Sequence, residues 1–217
     1  MRQGVNKTDF WEERYLKNKM PWDIGEAAPA FVKYFCSRDL PRQVSTAWQA
    51  PTGLKIAVLG CGRGHDAFYL ANINNLEVYG FDFSESAVKF CNEAKEKKNL
   101  KNIFFYNVNF FDLKKENQWK GFFDFVIEHT SLCAIDPLRR KEYADLIKYL
   151  LKPKGKLAGL FFIRPIELGG PPFGITQEEI RDLFKNNFAE VEKLHYESCP
   201  HTFTGEEYFG VFEKKVQ

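Results

Sequence analysis

The stretch Leu54-Lys55-Ile56-Ala57-Val58-Leu59-Gly60-Cys61-Gly62-Arg63-Gly64-His65-Asp66 constrains the fold of this 217-residue chain more than any other. A short, mostly apolar run enters a glycine-rich turn, and an amphipathic segment follows. Such a run suits a parallel strand covered on both faces. Gly60, Gly62 and Gly64 admit positive φ and a close approach of backbone to a ligand. A second run, Leu76-Glu77-Val78-Tyr79-Gly80-Phe81-Asp82, ends in a carboxylate eighteen residues beyond Gly64. An acidic side chain there can accept hydrogen bonds from a ribose diol.

The turn reads G-x-G-x-G. The G-x-G-x-x-G of dinucleotide binding would need a glycine at position 65, which is His65, in the first turn of the following helix. The observed spacing suits a nucleoside without phosphates, whose amino-acid tail lies along the glycines. S-adenosylmethionine is such a ligand. The alternative is a turn that merely closes a strand–helix corner.

Before this unit, Asp9 and Glu12 have capping-box spacing ahead of a helix with Phe10, Trp11 and Tyr15, expected to end near Lys19. Met20-Pro21-Trp22-Asp23-Ile24-Gly25 reads as a turn, and Pro29 opens a second helix through Cys36. Residues 37–53 read as a surface connection. This N-terminal piece can cap a ligand, or its tryptophans can be ordinary packing residues.

After the second strand, Ser84 can N-cap a helix to Lys98. Residues 102–108 form a third strand, followed by Asn109-Phe110, a polar and an aromatic residue able to bond and sandwich an adenine ring or simply to close a strand exit. Residues 122–128 are a fourth strand, Asp136-Pro137 starts a helix to Leu151, Lys152-Pro153-Lys154-Gly155 is a turn, and residues 156–163 are a fifth strand. Thr176-Gln177-Glu178-Glu179 is a capping box, and residues 191–196 and 207–213 can pair as an antiparallel hairpin.

Alternating strands and helices closed by a hairpin imply an α/β fold: a doubly wound, mostly parallel seven-stranded sheet with an antiparallel edge hairpin. Residues 1–53 would be a helical cap and residues 54–217 the cofactor-binding core of one domain. Ligands on such sheets sit at the carboxyl ends of the strands, where Gly60, Asp82, Asn109 and Glu128 all fall.

Net charge is +2 with both signs interspersed, so no basic stripe points to nucleic acid. The five scattered cysteines show neither zinc spacing nor a disulfide framework, which points to a reducing compartment. No signal peptide or spanning segment is read, so a soluble, cytoplasmic protein is expected; the cysteine spacing suggests no metal, and the lack of an obvious spare apolar face suggests a monomer.

The chain resembles the thiopurine S-methyltransferase family, which includes thiol and halide methyltransferases. The likeness rests on Trp11-Glu12-Glu13-Arg14-Tyr15, Pro21-Trp22-Asp23-Ile24-Gly25, Leu59-Gly60-Cys61-Gly62-Arg63-Gly64-His65-Asp66, Cys133-Ala134-Ile135-Asp136-Pro137 and Gly169-Gly170-Pro171-Pro172-Phe173. It implies S-adenosylmethionine as methyl donor and a small, soft nucleophile as acceptor, with thiols first and halides or tellurite as alternatives. By this resemblance Trp11 and Trp22 cap the cofactor, Gly60 lies beside its methionine part, Asp82 holds its ribose, Asn109 and Phe110 flank its adenine, and Leu59, Gly62 and Phe83 also belong to its binding site. His129 stands where the family carries Arg or Tyr near the cofactor.

Candidates for the chemistry are His129, Asp136, Arg139 and Arg140. His129 titrates in the useful range but can equally orient the cofactor. Asp136 can instead cap its helix, and the arginines can bind an anionic acceptor or be solvated. A thiol of pKa about 8.5 is partly ionised near neutrality, so a strong base is not required. The competing function of another class is a non-catalytic S-adenosylmethionine-binding protein. An amino-group methyltransferase is disfavoured, because the segment after the fourth strand reads Glu128-His129-Thr130-Ser131.

Overall fold

A computed structural model describes residues 4–37, 53–198 and 205–216. The expected connection over 37–53 therefore lies almost wholly outside the described residues, as do Cys199 and His201.

Seven strands form one sheet in the order β3-β2-β1-β4-β5-β7-β6. They are β1 (Leu54–Leu59), β2 (Leu76–Asp82), β3 (Ile103–Asn107), β4 (Phe123–His129), β5 (Leu151–Ile163), β6 (Phe188–Glu197) and β7 (Glu206–Lys214). β1 pairs in parallel with β2 and with β4, so the chain reverses its direction of travel across the sheet at β1. This is the topological switch point at which open α/β sheets bind ligands. β7 runs antiparallel to both β5 and β6, so β6 is the outer strand of the expected hairpin and β7 is inserted beside β5.

Both faces of the sheet are buried, as the apolar strands require. On one face Phe81, Phe123, Tyr143, Phe161 and Phe184 pack together; on the other, Phe31, Ile56, Leu70, Ile103 and Ile127 do. Burial of each such side chain contributes roughly 1.5–3 kcal/mol. The covering helices are α1 (Thr8–Leu16), α2 (Pro29–Ser37), α3 (His65–Ala71), α4 (Glu85–Lys97), the short α5 (Ser131–Ala134), α6 (Arg140–Leu150) and α7 (Gln177–Phe184). No helix among the described residues is long and apolar enough to cross a membrane.

Two local expectations are corrected. Asp9 and Glu12 do not form a capping box: α1 starts at Thr8 with Lys7 as its uncapped N-terminal residue, and Glu12 accepts instead from Ser84 and Ser86 on another helix. The Lys152–Gly155 turn is a bulge inside β5 and not a connection before it. Leu151 pairs with Phe123 and Lys156 with Phe125, so four residues loop out against one, with Lys154 at φ +60°. The Lys152 ammonium fastens the bulge to Asp124 at 2.8 and 2.9 Å. Ser84 and Thr176 cap their helices as expected, the latter in a complete capping box.

Candidate active site

The glycine turn leaves β1 with Gly60 at φ +63°, and a Cβ there would lie 2.4 Å from Ser131 Oγ. Ser131 is fixed in turn by its bond to the Leu59 carbonyl at 2.8 Å. A side chain at position 60 is thus excluded both by conformation and by space. At the end of β2, Asp82 accepts from Gly62 N at 2.8 Å and from Ser84 N at 2.9 Å. Burial pushes its carboxyl above the ordinary range, and the backbone donors Ser84, Gly62 and Phe83 offset this only in part.

Arg63 within the glycine loop and His65 and Asp66 directly after it hold the N-terminal segment over it. His65 Nε2 meets Asp23 at 2.8 Å, and Arg63 donates to Asn18 at 2.9 Å. Asp66 accepts from Ala28 N, at the start of α2, at 2.8 Å. Asp23 also receives Gly25 N at 2.9 Å, and the His65 bond outweighs burial to hold its carboxyl below the usual range. So fastened, the segment presents Trp11, Trp22 and Tyr15 as an aromatic wall. The Trp11 and Trp22 rings meet edge-on at 5.6 Å, and Trp11 Nε1 donates to Val5 O at 2.9 Å.

Between this wall and the strand ends lies a cavity of about 600 Å³. Of the residues singled out in the sequence, Trp11, Trp22, Gly60, Asp82, Phe83, Asn109, Phe110, His129 and Arg139 line it. Leu59 and Gly62 stand behind it, against an adjoining void of about 60 Å³. Asp136 and Arg140 are not among its lining residues. Asp136 accepts from Leu138 N at 3.1 Å as a helix cap, and Arg140 donates to Gly174 O at 2.9 Å and Phe173 O at 3.3 Å. Arg140 thereby holds the Gly169–Phe173 loop, and Phe173 N adds a bond to Cys133 O at 2.6 Å. That loop supplies Pro171 and Pro172 to the cavity lining, which also includes Cys133, Ile135 and Phe162. Tyr15, Cys133, Phe162 and the latch residues Arg63, His65 and Asp66 received no site role from the sequence. The Gly-Gly-Pro-Pro block and the R-G-H-D run were the available signals.

His129 ends β4 with Nδ1 donating to Asp66 at 2.7 Å and Nε2 3.8 Å from Glu207. Burial alone would lower its pKa, but Asp66 and then Glu207 more than offset this and raise it to about 10. The imidazole is therefore a cation near neutrality. Next to it, burial raises the enclosed Glu128 carboxyl to about 7, although Tyr143 and Leu132 N donate to it at 2.5 and 2.8 Å. Burial likewise raises the Cys133 thiol, whose proton is directed to Thr130 O at 3.0 Å. Arg139 lies over the Phe111 ring at 3.5 Å and pairs with Glu142 through two bonds of 2.8 and 3.0 Å.

The cavity fits S-adenosylmethionine. Its volume is that of a small-molecule pocket. Asp82 keeps acceptor capacity beyond its backbone donors, and the facing aromatic wall suits a sulfonium. Fold and site together define an S-adenosylmethionine-dependent methyltransferase.

Known proteins narrow this class. The profile of the family described as Thiopurine S-methyltransferase (TPMT) matches residues 6–216. Thiocyanate methyltransferase 1 of Arabidopsis thaliana is 30% identical over 214 residues, covering 94% of this chain and 84% of that protein. Thiopurine S-methyltransferase of Vibrio cholerae serotype O1 is 26% identical over 210 residues, covering 89% and 88%. In fold, the chain matches the crystal structure of Burkholderia thailandensis 1,6-didemethyltoxoflavin-N1-methyltransferase with a TM-score of 0.72 at 18% identity, covering 98% and 88%. The chain belongs to the thiopurine S-methyltransferase family and is an S-methyltransferase.

Proposed function

We propose that the protein methylates a small thiol that reaches the site already ionised, by aligning it with the donor and not by removing its proton. The observation that carries this reading is the state of the titratable groups in the cavity lining. Its carboxylates are Glu13, paired with Lys17 at 2.7 Å, and Asp82, already bonded to Gly62 N and Ser84 N, and burial holds the Cys133 thiol protonated. His129, nearest in chemistry to a base, is held protonated by Asp66 and Glu207. When bound, S-adenosylmethionine supplies a sulfonium methyl group for in-line displacement.

In this reading Asp82 accepts from the ribose hydroxyls, Gly60 lies along the methionine part, and Asn109 with Phe110 and Phe83 borders the adenosine. Trp11 and Trp22 cover the sulfonium, a contact of roughly 0.5–2 kcal/mol. Alignment in a closed cavity can supply roughly 7–11 kcal/mol of the barrier. Arg139 and the His129 cation favour an anionic acceptor, while Asp136 and Arg140 act by holding the α5–α6 corner and the Pro171–Pro172 loop. The mixed surface charge and the free thiols Cys36, Cys61, Cys91 and Cys133 support a one-domain cytoplasmic monomer acting on small molecules.

The His129 cation and the likeness to a thiocyanate methyltransferase favour a second reading, a small inorganic anion as acceptor. Methyl transfer from labelled S-adenosylmethionine to an aryl thiol, hydrosulfide, thiocyanate, iodide, tellurite and an arylamine tests both. Turnover of the thiols above the inorganic anions is expected. Preference for thiocyanate or iodide would favour the second reading. Transfer to the arylamine would overturn both, and tight cofactor binding with no turnover on any acceptor would indicate a binding protein.

A further inference from the structure

Helix α1 carries Trp11 and Tyr15 into the cavity wall, yet none of its own residues is buried. The rings are half-buried and pack on Trp22, which belongs to the same N-terminal segment, so bonds from α1 to the core help to fix where they stand. Glu12, on the same helix, spans to the start of α4. Its Oε2 accepts from Ser84 Oγ at 2.6 Å and from Ser86 N at 3.2 Å, and its Oε1 accepts from Ser86 Oγ. Ser84 is also the residue whose N–H donates to Asp82 Oδ1 at 2.9 Å, and Asp82 in turn holds Gly62 N at 2.8 Å. One continuous chain of bonds thus runs from the cap helix, through a single serine, to the carboxylate at the end of β2 and on to the glycine turn.

We propose that Glu12 is a positioning residue that sets the aromatic cap over the cofactor by tying α1, through Ser84, to Asp82. The inference rests on the reading of Asp82 as the ribose acceptor. Glu12 suits the task chemically. Burial works against its ionisation, but the donors Ser84 and Ser86 more than compensate and keep its carboxyl below the usual range. An ionised carboxylate accepting several donors at a helix N-terminus forms stronger bonds than a neutral acceptor would. It also stands on the helix end that already orients Asp82, so displacement of one carboxylate is felt by the other. Asp82 is in fact pushed up further by the Glu12 charge. Trp11 adjoins Glu12 in sequence, and Tyr15 lies one turn further along α1, with its hydroxyl 3.0 Å from where a Gly62 Cβ would stand.

The test is calorimetric binding of S-adenosylhomocysteine to the full chain, with steady-state kinetics and thermal unfolding of the same variants. Glu12→Ala is expected to weaken binding about tenfold or more, the loss of a charge-assisted network, and to raise the cofactor KM more than it lowers kcat at saturating cofactor. Glu12→Gln, which keeps one acceptor oxygen, should recover part of that loss. Ser86→Ala should weaken binding in wild type but add little to Glu12→Ala, because both remove the same bonds. Asp82→Asn serves as the control. If Glu12→Ala binds as wild type while Asp82→Asn does not, the proposal is overturned and the ribose reading stands. If Asp82→Asn itself binds as wild type, the ribose reading fails and the proposal with it. A Glu12→Ala protein whose thermal midpoint, cofactor KM and acceptor KM all deteriorate together, with no recovery in Glu12→Gln, would make Glu12 merely structural and overturn the proposal.

Discussion

The two walls of the cavity are held by different physics. The strand-end wall is set by main chain: Gly60 and Asp82 sit on β1 and β2, whose ladder runs from Leu54 opposite Leu76 to Leu59 opposite Phe81, and Asp82 is aimed by backbone N–H groups. The cap wall is set by a few side chains. Helix α2 buries Phe31 and Phe35 in the core, but α1 and the turn after it depend on Glu12 and Asp23, and the run from that turn into α2 on Asp66. A wall built from ladders cannot move without unfolding strands, whereas one held by carboxylates can be released locally. Substitutions on the first side should therefore damage fold and catalysis together, and those on the second mainly catalysis.

Gly60→Ala, on the strand-end side, carries the largest expected effect. The added methyl meets Ser131 Oγ and the left-handed backbone is strained, so the turn must shift. A displacement near 1 Å costs about a hundredfold in turnover, measurable with the preferred acceptor at saturating cofactor. Asp82→Ala comes next: cofactor affinity in calorimetry should fall by roughly 1.5–3 kcal/mol, with some loss of stability because Gly62 and Ser84 lose their acceptor. Trp22→Ala, on the cap side, should reduce turnover roughly threefold to thirtyfold with a near-unchanged thermal midpoint. An equal collapse of both quantities would place Trp22 in the core and erase the distinction.

A last prediction, read in stability and not in turnover, is a pH dependence where the two walls meet. His129 on β4 is bonded to Asp66, which also holds Ala28 N of the cap. Its pKa is raised from about 6.5 in the unfolded chain to about 10 in the folded one. The stability it contributes is therefore complete below about pH 6.5 and is lost as pH rises through about 10. Urea midpoints of wild type and His129→Gln should differ at pH 6 and converge above pH 10. A constant difference across that range would remove the imidazolium from the account.

The sequence made the strand-end wall legible and the cap wall only partly so, for a physical reason. Gly60, Asp82 and the Ser84 cap are local features whose chemistry acts within a few residues of chain. The links Asp23–His65, Ala28–Asp66 and Glu12–Ser84 join residues 42, 38 and 72 apart, a range at which no periodicity survives. Glu12 shows the conflict plainly: its spacing from Asp9 suits a local capping box, but the donors at the start of α4 form the bonds instead. The converse holds at Asp136 and Arg140, proposed from the sequence for chemistry. Asp136 is occupied by Leu138 N, the helix cap its place before Pro137 also suggested, whereas the Phe173 and Gly174 carbonyls that occupy Arg140 lie more than thirty residues away, beyond what its own chemistry reveals.

The central claim is that the site aligns an already ionised acceptor and does not deprotonate it. The most direct test is the pH dependence of kcat/KM with two thiols of well-separated pKa, such as an aryl thiol and an alkyl thiol. The rising limb is expected to move with the pKa of the acceptor, with no shared inflection. A single inflection at the same pH for both thiols would mean that a group of the protein takes the proton, and would contradict it.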